Sequence, residues 1–423
     1  MEIVQLHDGK TLDRLWHLHR LSVKATKILS KQEKAGLRSW YLAALSERMS
    51  QAREKLKQAR FEWNKVMDSI PAMMVMRETE TPRDAFVLVR GVYDSRGEKV
   101  NAATPEFLPD FPRDAPNNRL GLAKWTTSPD HPLTARVTVN RYWQMMFANG
   151  LVRTPEDFGL QSQMPSHPEL LDWLARDFIS NGWDVRRLLK MIALSSTYRQ
   201  QAAVSPEVRN RDPENVLLAR APANRITAEM LRDGVLFTSG QLNQKVGGPP
   251  VKPYDVALAY NAMKADRGQN LYRRSLYTFW KRSSPAPTMM TLDANKRDVC
   301  RLRRESTASP LQALVLLNGT QFVEASKALA IRLYQKHDGS LEKMIEESFR
   351  LMTSRSPSEE ELTILKALYE DQLGEFESEP ERANELLKTG ESKIAAEIPP
   401  ARLAAATVLV NAIINLDESV RLQ

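Results

Sequence analysis

The stretch from His131 to Gln200 constrains the fold of this chain more than any other segment. It is dense in Trp, Arg, His and Asp, and short apolar-periodic pieces alternate in it with turn signals. Pro132 suits the first turn of a helix over 133–147. Ser166 and Glu169 have the spacing of a capping box at the start of a second helix, and Gly182 suits that helix's end. The part of this stretch up to Gly182 therefore predicts two helices joined by one loop.

Apolar residues at three- and four-residue spacing predict helices along most of the remaining chain. The further segments with this pattern are 185–195, 227–239, 310–317, 321–334, 341–352, 358–373 and 401–415. Few segments alternate, and we predict short strands only at 73–76, 86–89 and 277–280. The acidic stretch that begins at Glu375 and the segment after it, up to Pro400, are interpreted as a surface excursion. The expected fold class is mainly α: a multi-helix domain with a few short β-strands and a helical N-terminal arm.

Composition shifts along the chain predict three parts. Residues 1–70 are rich in helix-forming residues, and Leu42, Leu45, Met49 and Leu56 fall at helical spacing, so a helical hairpin or coiled-coil arm is expected. Residues 71–118 hold the two short strands and a proline-rich linker. Residues 119–423 form the main helical domain. No apolar run is long enough for a transmembrane helix.

The net charge of +8 is unevenly distributed and concentrates between residues 273 and 304. Tyr272, Tyr277 and Trp280 are interleaved with the first of these cations, a pattern that suits stacking on sugars or bases. Nucleic acid, acidic polysaccharide and an acidic protein partner all fit, and so does a solvated surface with internal ion pairs. The candidate polyanion-binding residues are Arg273, Arg274, Lys281, Arg282, Arg301, Arg303 and Arg304.

The chain has one cysteine, Cys300, so it can form no internal disulfide and no cysteine-rich metal site. A buried, inert thiol is the favoured interpretation. The C-x-x-C-H motif is absent, so no haem is expected on this chain itself. His131 and His167 both precede proline and lack metal-ligand spacing, and no metal site is predicted.

A second group of polar and aromatic residues surrounds the first two helices. Arg136 and Asn140 are four residues apart and share a helix face. With Trp143 they could bind a carboxylate, phosphate or sugar. The alternative is a buried structural cluster in which an arginine pairs with an aspartate and fixes helix register. Convergence in space is expected for Arg136, Asn140, Arg141, Trp143, Asp157, His167, Asp172 and Trp173.

Several segments together carry a family resemblance. They are HPLTARVTVNRYWQMMFANGLVRTPEDFG, SHPELLDWLARDFISNGWDVRRLLKMIALSSTYRQ, DPENVLLARAPANRITAEMLRDGVLFTSGQL, RRSLYTFWKRSSPAPTMMTLDANKRDVC, STASPLQALVLLNGTQFVEASKALA and the terminal NLDE. In this order they resemble the planctomycete-type C-terminal domain of unknown function, number fifteen fifty-three, found in cytochrome-c-associated exported proteins. This chain looks like a truncated or split member.

The resemblance implies a setting and no catalytic residues. It implies a c-type cytochrome module as partner, with c-type haem on that partner or on an upstream module, acidic polysaccharide as ligand, and a periplasmic or cell-envelope location. No signal peptide is recognisable, so a cytoplasmic location is expected if Met1 is the true start. The leading expectation is an accessory or non-catalytic domain of an exported, cytochrome-linked polysaccharide-processing system. The alternatives are an enzyme of unknown reaction with its site around Arg136, Asn140 and His167, and a nucleic-acid-binding protein that uses residues 273–304.

Overall fold

The computed structural model describes residues 30–44, 47–79, 83–253, 264–281, 285–393 and 397–422. The chain divides into two compact units, Met1–Asn101 and Ala102–Gln423. The described residues are mainly helical and contain one two-stranded antiparallel sheet, which confirms the predicted fold class. Among them, no helix combines the length and the apolar character needed to cross a membrane.

The first unit contains helices α1 (Lys31–Ala44) and α2 (Glu47–Ser69) and strands β1 (Ala85–Leu88) and β2 (Arg96–Val100). These helices lie in the predicted N-terminal arm, whereas the part of that prediction covering residues 1–29 lies outside the described residues. The strands pair with Ala85 opposite Val100 and Phe86 opposite Lys99.

One strand prediction in the first unit is wrong. Residues 73–76 form no strand and are exposed, and β1 pairs instead with β2. The sequence of β2, Arg-Gly-Glu-Lys-Val, lacks the apolar alternation that marks a half-buried strand, because all of its side chains are exposed. The connection between the two strands, residues 89–95, begins with a 3-10 turn over Val89–Gly91.

Helices dominate the second unit. They are α3 (Arg119–Thr126), α4 (Thr134–Phe147), α5 (Pro168–Ser180), α6 (Val185–Leu194), α7 (Pro206–Arg211), α8 (Ala228–Thr238), α9 (Pro287–Thr291), α10 (Pro310–Asn318), α11 (Thr320–Lys336), α12 (Leu341–Thr353), α13 (Glu359–Ser378), α14 (Pro380–Leu387) and α15 (Pro400–Ile414). Short 3-10 helices lie at Gly268–Tyr272, Ser275–Tyr277 and Asp417–Val420. The predicted strand at 277–280 is wrong: this segment forms only an isolated bridge, between Thr278 and Val251.

Local sequence explains several helix starts. Ser358 and Glu361 form a reciprocal capping box at the start of α13, which satisfies two backbone donors there. The capping box expected at Ser166 does not form. Because α5 begins at Pro168, His167 occupies the N-cap position, and the Ser166 hydroxyl lies 3.0 Å from His167 Nδ1 instead.

Among the described residues, four clusters of buried apolar side chains lie in the second unit, and the two largest organise it. The larger core surrounds α11 and α15, which pack along each other and bury residues such as Leu329 and Leu403. The smaller core joins α4, α5 and α6. The segment from Glu375 to Pro400 is not a simple surface excursion, since it contributes Phe376, Ala383, Leu387 and Ile398 to the larger core. Acidic residues between these apolar positions concealed that role in the sequence.

Arg355 ties the start of α13 to the chain's last 3-10 helix. Its Nη2 lies 2.7 Å from Glu361 Oε1 and 2.8 Å from Glu418 Oε2. The hydrogen bond from Arg355 is the largest cause that lowers the pKa of Glu361, to about 2. Ionised Glu361 therefore stabilises the fold at neutral pH.

We expect this contribution to disappear in acid. The folded-state pKa of Glu361 lies below the ordinary carboxyl value of about 4.3. Its stabilising contribution is therefore fully present above about pH 4.3 and is lost as pH falls toward 2. Glu361→Gln should flatten the fall in unfolding free energy across this window, measured by urea unfolding at several pH values. Glu360→Gln, in the same helical turn, is the control; equal slopes in both variants would contradict the assignment.

Candidate functional site

Arg136 and Asp172 join α4 to α5. Arg136 Nε donates to Asp172 Oδ1 at 2.6 Å, and the guanidinium also donates to the carbonyl oxygen of Pro132. The hydrogen bond from Arg136 lowers the pKa of Asp172 below its usual value. The two side chains are 36% and 51% exposed, so this ion pair lies at the surface. Pairs of this kind contribute little stability.

Asn140 is closed to solvent. Its side chain is 0% exposed, Nδ2 donates to the carbonyl oxygen of Val152 at 2.9 Å, and the Val152 N–H donates to Oδ1 at 2.8 Å. Gly150 lies directly against the amide: a Cβ there would lie 2.5 Å from Asn140 Nδ2. The geometry is that of a structural clamp that holds the chain leaving α4.

The other members of the predicted cluster have separate surroundings. Trp143 is buried and stacks on Phe147, with ring centroids 4.3 Å apart. Asp157 Oδ1 accepts from the Gly159 N–H at 2.7 Å. Arg141 and Trp173 are exposed, and His167 is half-buried beside Ser166.

Direct contact within the predicted cluster is therefore limited. Among the described residues, Arg136 and Asp172 are the only two of the eight joined by a hydrogen bond or ion pair. Ligand binding by these residues stays a prediction. Among the residues that the structure describes, no group of three or more His, Cys, Asp or Glu side chains is placed to hold a metal ion.

The first half of the predicted polyanion-binding set is largely occupied by internal contacts. Arg273 is buried, and its Nη2 donates to the carbonyl oxygens of Lys245 and Gly247 at 2.9 and 2.7 Å. Arg273 also lies over the ring of Tyr277. Arg274 is exposed and lies 3.9 Å from Asp233 Oδ2, and Lys281 is half-buried. Arg282 lies outside the described residues.

The second half of that set lies on a closed loop, here named the basic loop, comprising residues 293–307. Its ends are joined by Asp293, whose carboxylate accepts from the Thr307 N–H at 2.7 Å and from the Thr307 hydroxyl at 2.9 Å. Gln312 Nε2 donates to the same carboxylate at 3.0 Å, and Arg225 donates to the Thr307 carbonyl oxygen at 3.0 Å. A loop whose ends are clamped in this way is a compact Ω-type loop.

The basic loop exposes five cations, Lys296, Arg297, Arg301, Arg303 and Arg304, against two exposed acidic residues, Asp298 and Glu305; its third acidic residue, Asp293, forms the clamp. Arg301 pairs with Glu305 at 3.0 Å, and Arg304 pairs with Glu229 of α8 at 2.6 Å. Burial opposes the charged form of Glu229, but the hydrogen bond from Arg304 and a backbone hydrogen bond outweigh it, so the pKa of Glu229 is lowered. Within the described part of the chain, Lys296 and Arg303 form no ion pair.

An aromatic ring and a thiol accompany these cations. Trp280 Nε1 donates to the Lys296 carbonyl oxygen at 2.7 Å, and the Arg297 guanidinium carbon lies 4.7 Å from the Trp280 ring centroid. Trp280 thus lies beside the basic loop, whereas Tyr272 is buried elsewhere. Cys300 is exposed, so the interpretation of a buried thiol was wrong. The thiol lies on a polar loop and not on an apolar helix face.

A buried polar network escaped the sequence analysis. Glu324 of α11 is 2% exposed, and its Oε1 accepts from the Tyr272 hydroxyl at 2.7 Å and from the N–H groups of Glu391 and Ser392 at 2.7 and 2.5 Å. Gly390 makes this approach possible, because at its φ of +81° a Cβ would lie 2.2 Å from Glu324 Cδ. Burial is the largest cause that raises the pKa of Tyr272.

Lys327 lies one turn along α11 from Glu324. It is 1% exposed and donates to the carbonyl oxygens of Leu387 and Thr389 at 2.8 and 2.9 Å. Burial lowers the pKa of Lys327, and the charge of Glu324 opposes that shift. The network therefore anchors the chain after α14 against α11. A sequence signal existed: two charged residues interrupt the apolar run from Phe322 to Ala330.

Comparison with known proteins gives one match. The model of the family described as PSD1, protein of unknown function (DUF1553), matches residues 118–369. No curated protein and no solved structure matches the chain. The family match spans α3 to α12 and part of α13, so it includes both the α4–α5 ion pair and the basic loop. Since it covers more than half of the 423 residues, the chain belongs to the DUF1553 (PSD1) family of proteins of unknown function.

Proposed function

We propose that this chain is a non-catalytic accessory domain of an exported, cytochrome-linked polysaccharide-processing system, and that its basic loop binds acidic polysaccharide. The observation that carries the binding proposal is the clamped loop, which exposes Lys296 and Arg303 and which contacts Trp280 through the Lys296 carbonyl oxygen and the Arg297 guanidinium. Because Asp293 and Thr307 hold its ends, the loop loses little conformational freedom when a ligand binds. Arginine guanidinium groups match the geometry of uronic carboxylates and sulfate esters.

The choice of polysaccharide over nucleic acid rests on the family resemblance. Positive charge alone attracts both kinds of polymer, with an affinity that falls as salt rises. The half-buried Trp280 offers an aromatic surface beside the cations, which suits the apolar face of a sugar ring as well as a base. A direct comparison of the two ligands is therefore the decisive test.

We expect the full chain to bind a uronic-acid oligosaccharide more tightly than duplex or single-stranded DNA at about 150 mM salt, where the Debye length is about 8 Å. Arg303→Glu should weaken glycan binding by at least about tenfold, since a charge-assisted hydrogen bond contributes about 1.5–3 kcal/mol. Arg209→Glu, an exposed arginine of α7, makes the same charge change away from the loop and should leave binding unchanged. Isothermal titration calorimetry provides the affinities.

Other results would identify another function or none. Tighter binding to DNA that Arg303→Glu abolishes would establish the nucleic-acid-binding alternative. If Arg209→Glu and Arg303→Glu weaken binding equally, binding depends on the net charge of the chain and not on the basic loop. No binding to any of the three polymers would overturn the proposal.

The proposed setting has its own test. In this setting the chain is located in the periplasm or cell envelope, with c-type haem on a partner or an upstream module. Cell fractionation should therefore recover the chain with a periplasmic marker, and affinity purification should recover a haem-staining protein with it. Recovery with a cytosolic marker and without haem would contradict the exported, cytochrome-linked setting, whatever the glycan result.

A further inference from the structure

Helix α2 exposes apolar side chains along its whole length. It has 23 residues, none of them buried, and so extends about 35 Å at 1.5 Å per residue. Leu56, Trp63, Val66 and Ile70, which follows the helix, are all more than half exposed. Most helices in proteins gain their stability by packing an amphipathic face. Within the described residues, α2 buries no such face.

The apolar residues follow a strict repeat. From Met49 onward the steps alternate between three and four residues through Ala52, Leu56, Ala59, Trp63, Val66 and Ile70. These are the a and d positions of three heptads, here named the seam, with Met49 at position a. A heptad repeat of this length is typical of a coiled coil and favours a left-handed pairing with another helix.

The charges beside the seam select the partner. The e and g positions carry four cations, Arg48, Arg53, Lys55 and Arg60, and one acidic residue, Glu62. In a parallel pair of two copies, each g residue faces the e residue of the next heptad. Arg48 would then face Arg53, and Lys55 would face Arg60. These charges therefore oppose a parallel pairing of two copies.

We propose that α2 is a docking surface for an acidic amphipathic helix of a partner protein, one with apolar a and d positions and glutamate or aspartate at e and g. Such a helix would cover the seam and neutralise the flanking cations. The seam favours a helix over a lipid surface because its regular spacing matches a coiled-coil partner and because it contains the small residues Ala52 and Ala59, although exposed Phe61 and Met67 lie outside it. Membrane-bound helices present a wider apolar face.

Two synthetic peptides of about four heptads test this inference on the full chain. Both have leucine at a and d; one has glutamate at e and g, and the other has lysine. We expect the acidic peptide to bind at least about tenfold more tightly, because several e–g charge pairs act together. Fluorescence anisotropy of labelled peptide gives the affinities. Lys55→Glu combined with Arg60→Glu should weaken binding of the acidic peptide and strengthen binding of the basic one.

Substitutions separate the seam from the opposite face. Leu56→Asp should abolish binding of the acidic peptide, whereas Gln51→Asp, at an outward c position with the same charge change, should not. Both side chains are exposed, and circular dichroism should show the same helical content in both variants and the wild type. Equal binding of the two peptides, or of the two variants, would overturn the proposal.

Three further results would contradict the proposed partner. Dimerisation of the wild type in light scattering, lost in Leu56→Asp, would identify a second copy as the occupant. Binding to phosphatidylserine-containing vesicles, lost in the same variant, would identify a membrane surface. Failure of both peptides to bind would overturn the proposal. None of these results bears on the glycan test, which concerns a different surface.

Discussion

Replacing Glu324 by glutamine is expected to lower the free energy of unfolding by about 3 kcal/mol, because three hydrogen bonds to its buried carboxylate lose a charged acceptor and such bonds are roughly twice as strong as neutral ones. Glutamine keeps a carbonyl oxygen for the Tyr272 hydroxyl and the two N–H groups, but it carries no charge. The Lys327 ammonium, 1% exposed, would then lie in the interior without its counter-charge. Urea unfolding followed by circular dichroism at pH 7 measures the loss.

Two controls isolate the charge. Tyr272→Phe removes one hydrogen bond to Glu324 and should cost about 1.5–3 kcal/mol. Glu305→Gln makes the same chemical change at an exposed position and should cost less than about 0.5 kcal/mol. If Glu324→Gln lowers the free energy of unfolding no more than Glu305→Gln does, the buried charge of Glu324 does not stabilise the fold.

Asn140→Ala is expected to cost about 3 kcal/mol, although Asn140 was a candidate ligand-binding residue. Alanine removes both hydrogen bonds to Val152. The N–H and C=O groups of Val152 are then left without partners in a space closed to water. Each buried, unsatisfied group costs about 1–3 kcal/mol. Thermal and urea unfolding of the full chain give the change in stability.

The control lies on the same helix. Arg136→Ala breaks a half-exposed ion pair and should cost about 1 kcal/mol or less. If Arg136→Ala were the more destabilising of the two substitutions, the surface ion pair and not the buried amide would hold α4, and the clamp interpretation would fail.

The helices were predictable because their signals are local. Apolar spacing over 341–352 and 358–373 predicted α12 and α13 to within a few residues, and Pro310 marked the first residue of α10. Strand β2 was missed because its side chains are all exposed, and only the backbone pairing with β1 defines it. Because backbone hydrogen bonds form whatever the side chains are, such a sequence carries no pattern that predicts the pairing.

The candidate sites were less predictable because they depend on distant partners. The sequence suggests that Arg273 is a surface cation. In the structure it is buried, and the carbonyl oxygens of Lys245 and Gly247 accept its hydrogen bonds. The Glu324 network joins α11 to backbone groups 67 and 68 residues away. The basic loop also depends on a contact between residues distant in sequence. Its cations are visible in the sequence, but the Asp293–Thr307 clamp that closes the loop is not.

The exposed thiol of Cys300 provides the most direct measurement of the central claim, that the basic loop is the glycan-binding surface. It is the only cysteine of the chain and lies within the loop. Saturating uronic-acid oligosaccharide should slow alkylation of Cys300 by a neutral maleimide several-fold, and half-maximal protection of Arg303→Glu should require at least about tenfold more glycan than that of the wild type. Saturated glycan binding with an unchanged alkylation rate in the wild type would contradict the claim.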